Sequence, residues 1–132
     1  EVGSFEQMLT HSGIFFVKYY LDISKKEQKR RLDARRDDPL KQWKISPIDQ
    51  QAQKYWKEYS QARDEMFSQT SFVYAPWHVI HSDDKKEARI NTIKHFLSLQ
   101  EYPEKDEKLL IYDHKVVCQF DPVCYEKGMI AP

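Results

Sequence analysis

The chain has 132 residues, 40% hydrophobic and 14% aromatic, with 21 basic and 21 acidic side chains that cancel to zero net charge. That content suits one modest α/β core and argues against a second domain, while the neutral balance denies it a broad electrostatic footprint for nucleic acid. No apolar run approaches the roughly 20 residues that cross a bilayer, and Glu1-Val2-Gly3-Ser4 has no basic-then-apolar leader pattern, so a cytoplasmic, membrane-free protein is expected. The missing initiator Met and the abrupt entry into helical pattern suggest a start inside a longer protein. Cys118 and Cys124 neither frame a disulfide scaffold nor supply a zinc site, and reduced thiols are expected.

Ser4 with Gln7 predicts a capping box and a short helix ending near Gly13, with Phe5, Met8 and Leu9 on one face. Residues 14–21, Ile-Phe-Phe-Val-Lys-Tyr-Tyr-Leu, read as a strand buried on both faces. Ser24 with Glu27 opens a helix to about Arg36, stopped before Pro39 and carrying little apolar surface beyond Leu32 and Ala34. Ser46 as N-cap, Pro47 in the first helical position and Asp49 at the dipole predict a long helix to about Ser68, with Ala52, Tyr55, Trp56, Tyr59, Ala62 and Met66 as its buried stripe. Residues 77–80 form a short strand. Ser82-Asp83-Asp84 caps a last helix with Ala88, Ile90, Ile93, Phe96 and Leu97 apolar. Strands alternating with helices predict a parallel sheet flanked by helices. In the tail, 109–112 and 116–120 suggest a hairpin across Asp113-His114-Lys115 or an interaction arm, without the Asn-Gly or Asp-Gly that marks a tight turn.

Charge is unevenly spread. Residues 25–44 hold nine basic against four acidic side chains, a local excess of five offset by the rest of the chain. Arg31 and Arg35 lie four apart and share a helical face, so both guanidinium forks can serve one cleft. The bland alternative is a solvated helix laced by pairs such as Lys29 with Asp33.

Tyr20-Leu21-Asp22-Ile23-Ser24, Glu27-Gln28-Lys29-Arg30-Arg31, and the block from Asp38-Pro39-Leu40-Lys41-Gln42-Trp43-Lys44 to Ile45-Ser46-Pro47-Ile48-Asp49 closely resemble the second polyphosphate kinase family, as do Ala75-Pro76-Trp77 and Asp84-Lys85-Lys86-Glu87-Ala88-Arg89-Ile90-Asn91. The resemblance covers residues 1–100 and fades in the tail, 101–132. It implies the C-terminal part of a P-loop kinase-like domain. Its parallel sheet is flanked by helices, with a helical lid at about 24–49. The implied activity is phosphoryl transfer between inorganic polyphosphate and ADP-, GDP- or AMP-type nucleotides with magnesium. It assigns Arg31 and Arg35 to the substrate phosphates, with Arg30, Lys41 and Lys44 as further candidates. Trp43 is expected to anchor the lid apolarly rather than stack on a base, and Asp84, Lys85 and Arg89 to cap and pair within their helix or to touch nucleotide or lid.

The family's phosphate-binding loop and magnesium-binding acidic strand would lie upstream. With only Gly3, Gly13 and Gly128, the chain cannot assemble a glycine-rich cradle. No catalytic residue or metal ligand is therefore assigned within it, and the fragment alone is expected to be inactive. Unpaired strand edges predict a homo-oligomer. The rival readings are a non-catalytic polyanion or nucleic-acid binder, a purely structural or oligomerisation module using the tail, and a metal hydrolase built on His11, His78, His81, His95 and His114. The last lacks any ligand spacing.

Overall fold

Two parallel strands, one antiparallel strand and helices on both faces make up the computed structural model, which describes residues 1–126 and 128–132. Helix α1 (Val2–His11) starts before the expected cap: Glu1 stands at its N-terminus, and no side-chain cap forms there. It closes at Gly13, whose φ of 80° lets the Ile14 N–H reach back to the Leu9 carbonyl.

Strand β1 (Lys18–Asp22) is shorter than the apolar run predicts. Ile14 and Phe15 lie outside it, half exposed, and Leu21 is 64% exposed. The buried members are the charged ones, Lys18 and Asp22. Among the described residues β1 is an edge strand in the order β1-β2-β3, and the expectation of burial on both faces fails at Leu21 because nothing among them packs over that side chain. Lys18 tolerates burial because its Nζ sits 2.7 Å from Glu6 Oε2 and also meets the Thr70 carbonyl.

Strand β2 (Trp77–His81) runs parallel to β1, with Lys18 opposite Trp77 and Asp22 opposite His81. Alternation sends its side chains into two cores. Val79 joins Phe67, Cys124 and Ile130 on one face, while Ile80 joins Ala88 and Val117 on the other. His78 and His81 part as their spacing requires, one buried and one exposed.

The long helix expected over 46–68 is two helices, α3 (Pro47–Ala52) and α4 (Trp56–Thr70). Ser46 and Asp49 form a reciprocal capping box at the start of α3. The break resets the helical phase, so the buried positions of α4 are Arg63 and Phe67, whereas Tyr59 and Ala62 face out. Phe67 has no exposed surface and stacks on Phe120 at 4.7 Å.

Asp84 caps α5 (Lys85–Ser98) by accepting from the Lys86 and Glu87 N–H groups. Its sheet-facing side is Ala88, Asn91 and His95, not the isoleucines: Ile90 and Ile93 are more than half exposed. Polar groups on that inner side are matched, since Asn91 Oδ1 accepts from the Asp113 N–H and His95 Nδ1 lies 2.6 Å from the Tyr19 hydroxyl. The expected tail hairpin does not form among the described residues. Val117–Gln119 is β3 and pairs antiparallel with β2 instead, Ile80 opposite Val117, which makes the sheet mixed rather than parallel. Burying Val117 beside Ile80 gives the tail apolar contact that a free-standing hairpin lacks. The short helix α6 (Val123–Glu126) then carries Cys124 into the Phe67 core. Both cysteines are free, their sulfurs 3.5 Å apart.

Candidate functional site

A cationic cleft lies past the carboxyl ends of β1 and β2. Its main wall is helix α2 (Lys25–Asp37), which follows β1 after only Ile23 and Ser24 and is capped by Ser24 Oγ accepting from the Glu27 N–H. Leu32 is the one buried residue of this helix among those described, so little apolar burial holds it in place. Polar ties do so instead. Ser24 N–H donates to Asp83 Oδ1 at 2.8 Å, and Arg31 Nη2 donates to the carbonyls of Ser82 and Asp83 at 2.5 and 3.0 Å.

Glu27 organises the guanidinium groups. It accepts from Arg30 through both oxygens at 2.6 Å and from Arg31 Nε at 2.7 Å. The Arg30 hydrogen bonds, with Arg31's, pull its carboxyl down to about 2. Arg31 thus has three donors committed to protein, while among the described residues its Nη1 meets no acceptor. Facing it is the start of α5. Lys85 titrates below the ordinary lysine range, first because of Arg31 and then through burial, Arg35, Arg30 and Arg89. Two helices far apart in sequence therefore aim like charges at one place. A cleft of about 410 Å³ opens there, lined by Leu21, Arg31, Lys85, Ala88, Arg89 and Ile93. Arg31 also borders a second cleft of about 200 Å³ with Arg35, whose Nη1 is 3.8 Å from Asp49 Oδ2.

The other predicted residues are placed differently. Lys41 pairs with Asp38, drawing that carboxyl below its usual range, and Lys44 lies over the Trp43 ring at 5.1 Å. Lys41 precedes and Lys44 ends a 3₁₀ turn, Gln42–Lys44, and neither lysine lines either cleft. Trp43 is 77% exposed, its indole N–H turned to the Leu40 carbonyl. Asp84 is a helix cap, its carboxyl lowered by the Glu87 and Lys86 N–H groups, and Arg89 Nε donates to the Lys85 carbonyl.

Sequence reasoning missed Asp22 and Arg63, a buried pair 3.3 Å apart, and the ring cluster of Tyr19, His78, His95 and Tyr112. Neither has a local signature, because the partners lie on separate elements. Among the described residues no group of three or more His, Cys, Asp or Glu side chains is placed to hold a metal ion. No described helix is long and apolar enough to cross a membrane.

Fold and site together define an α/β chain built around a cationic cleft at the carboxyl ends of parallel strands, where such sheets receive ligands. The sequence profile of the polyphosphate kinase 2 (PPK2) family matches residues 1–108, and the chain belongs to that family. It is 46% identical to the GDP-polyphosphate phosphotransferase of Pseudomonas aeruginosa over 96% of its own length and 38% of the relative's. With the ADP-polyphosphate phosphotransferase 2 of Rhizobium meliloti it shares 39% identity, over its full length and 42% of that relative. The crystal structure of polyphosphate kinase 2 from Arthrobacter aurescens superposes with a TM-score of 0.68 at 36% identity, across 96% of this chain and 43% of that one. The chain thus spans about two fifths of the length of these relatives.

Proposed function

We propose that this chain is the lid-bearing part of a polyphosphate-dependent nucleotide phosphotransferase, with α2 and the turn that follows it as the lid. The observation that carries the reading is the cleft that Arg31 of α2 lines together with Lys85 and Arg89 of α5. Like charges brought together in a protein of zero net charge call for an anion to offset them, and a chain of phosphates supplies one with repeated oxygens at short spacing. Arg31 is suited to the task because its Nε and Nη2 bonds hold the guanidinium still, leaving Nη1 for a phosphate oxygen. Lys85 and Arg89 receive the same anion from the opposite wall.

Phosphoryl transfer relies on positioning and on stabilising charge at oxygen. Here α2 contributes bidentate donors and, by closing, excludes water from the donor phosphate. The relatives' names pair GDP and ADP with polyphosphate, and nucleoside diphosphates are the acceptors proposed for this protein. The phosphate loop and the magnesium ligands are assigned to the part of the longer protein that this chain does not span. On this reading the 132 residues do not turn over alone.

The test is nucleoside triphosphate formation from polyphosphate, magnesium and GDP or ADP by the full-length protein. Arg31→Ala and Arg35→Ala should each lower kcat/KM by about a hundredfold or more with the fold intact. Unchanged activity in both sinks the lid assignment. Salt-sensitive RNA binding without transfer favours the polyanion-binding alternative.

A further inference from the structure

The joint between β1 and α2 is gripped from two sides, and only one grip belongs to the cationic cleft. On the cleft side, Ser82 N–H donates to the Asp22 carbonyl at 2.8 Å, and Arg31 and Ser24 bind the turn beyond. On the opposite side, the Asp22 carboxylate is held by Arg63 of α4 and by the chain's last residues. Arg63 Nη1 lies 3.3 Å from Asp22 Oδ1, and the Ala131 N–H donates to Asp22 Oδ2 at 2.7 Å. The same Arg63 Nη1 donates to the Ala131 carbonyl at 2.7 Å, and the Trp56 indole N–H to the Pro132 carbonyl at 2.5 Å. The side chains of Asp22 and Arg63 are 3% and 6% exposed.

We propose that Arg63 is a positioning residue for α2: with Asp22 and residues 130–132 it forms a buried clasp that fixes the joint from which the lid helix springs. The role rests on the reading of α2 as a lid. Three observations carry it. A buried ion pair is a poor device for stability alone, because an apolar replacement of similar volume is often neutral or stabilising, whereas it does impose one geometry. This pair sits at the last residue of β1, so any rotation there passes through Ile23 and Ser24 into the whole of α2. And α2 has little apolar burial of its own to resist such rotation. Burial pushes the Asp22 carboxyl above its usual range even though Ala131 and Arg63 pull it down, so the site is costly enough to depend on its partners.

The experiment compares wild type with an Asp22→Asn/Arg63→Met double variant of the full-length protein, in which no buried charge is left unpaired. Arg63→Lys keeps the charge but lacks the planar guanidinium whose Nε, tied to Asp64 at 2.8 Å, holds Nη1 between Asp22 and Ala131, and it keeps the question answerable if the double variant fails to fold. Amide hydrogen exchange at 23–32 should accelerate about tenfold in either variant while exchange at Val79 and Ile80 is unchanged. The kcat/KM for polyphosphate should fall about tenfold or more. Wild-type exchange at 23–32, or an equal acceleration at Val79 and Ile80, overturns the clasp. If wild type itself fails to use polyphosphate, the proposed function falls, and the exchange data still decide the clasp.

Discussion

Acid should loosen the α5 face of the sheet through His95, and the size of the effect follows from where that ring sits. His95 is 3% exposed, with Tyr19, His78 and Tyr112 packed around it at ring separations of 5.5, 4.5 and 4.9 Å. Burial, helped by His78 and His114, pushes its pKa down to about 4. An unfolded histidine titrates near 6.5, so the neutral ring is the form that folding favours. Above about pH 6.5 neither state binds the proton and no stability is lost. Between about 6.5 and 4 the unfolded chain binds a proton that the folded chain refuses, and stability falls with pH by up to about 3 kcal/mol. Carboxylates also titrate at the lower end, so the measurement is a difference: denaturant melts of wild type and His95→Gln from pH 7 to pH 4.5. The wild-type loss should exceed the variant's, and the His95 ring should titrate near 4 by NMR. A ring titrating near 6.5, or parallel losses in both proteins, refutes the assignment.

Two further outcomes are expected. Phe67→Ala removes a ring with no exposed surface that touches Tyr20, Trp77 and Phe120, and should cost about 3 to 5 kcal/mol by thermal or denaturant melts. Lys85 titrates low because guanidinium groups face it, so inorganic tripolyphosphate should raise its pKa in NMR titrations by offsetting them, and an unmoved Lys85 would place the anion elsewhere.

Local chemistry was legible wherever a few neighbouring residues settle it. Ser24, Ser46 and Asp84 act as caps, Pro47 opens α3, and Arg31 and Arg35 stand four apart on one helix, because hydrogen bonds to the first turn and the helical repeat depend only on short spacings. The block at 20–49 carried the family for the same reason, being contiguous. Apolar pattern was less reliable. Leu21, Ile90 and Ile93 read as core, yet within this chain nothing among the described residues covers them, while Asn91 and His95 take the inward positions because partners on other elements satisfy them.

Tertiary structure alone decided which distant groups meet. Lys85 is 54 positions from Arg31 and Arg63 is 41 from Asp22, and no local spacing encodes either encounter. The parallel pairing of β1 with β2 brings the first pair into one cleft, and the packing of α4 against the β1 end brings the second into one clasp. From sequence alone this protein declared a basic helix and its family. Whether that helix faces other cations, and what fixes its root, depended on the three-dimensional arrangement, since electrostatic coupling and burial follow distance through space rather than along the chain.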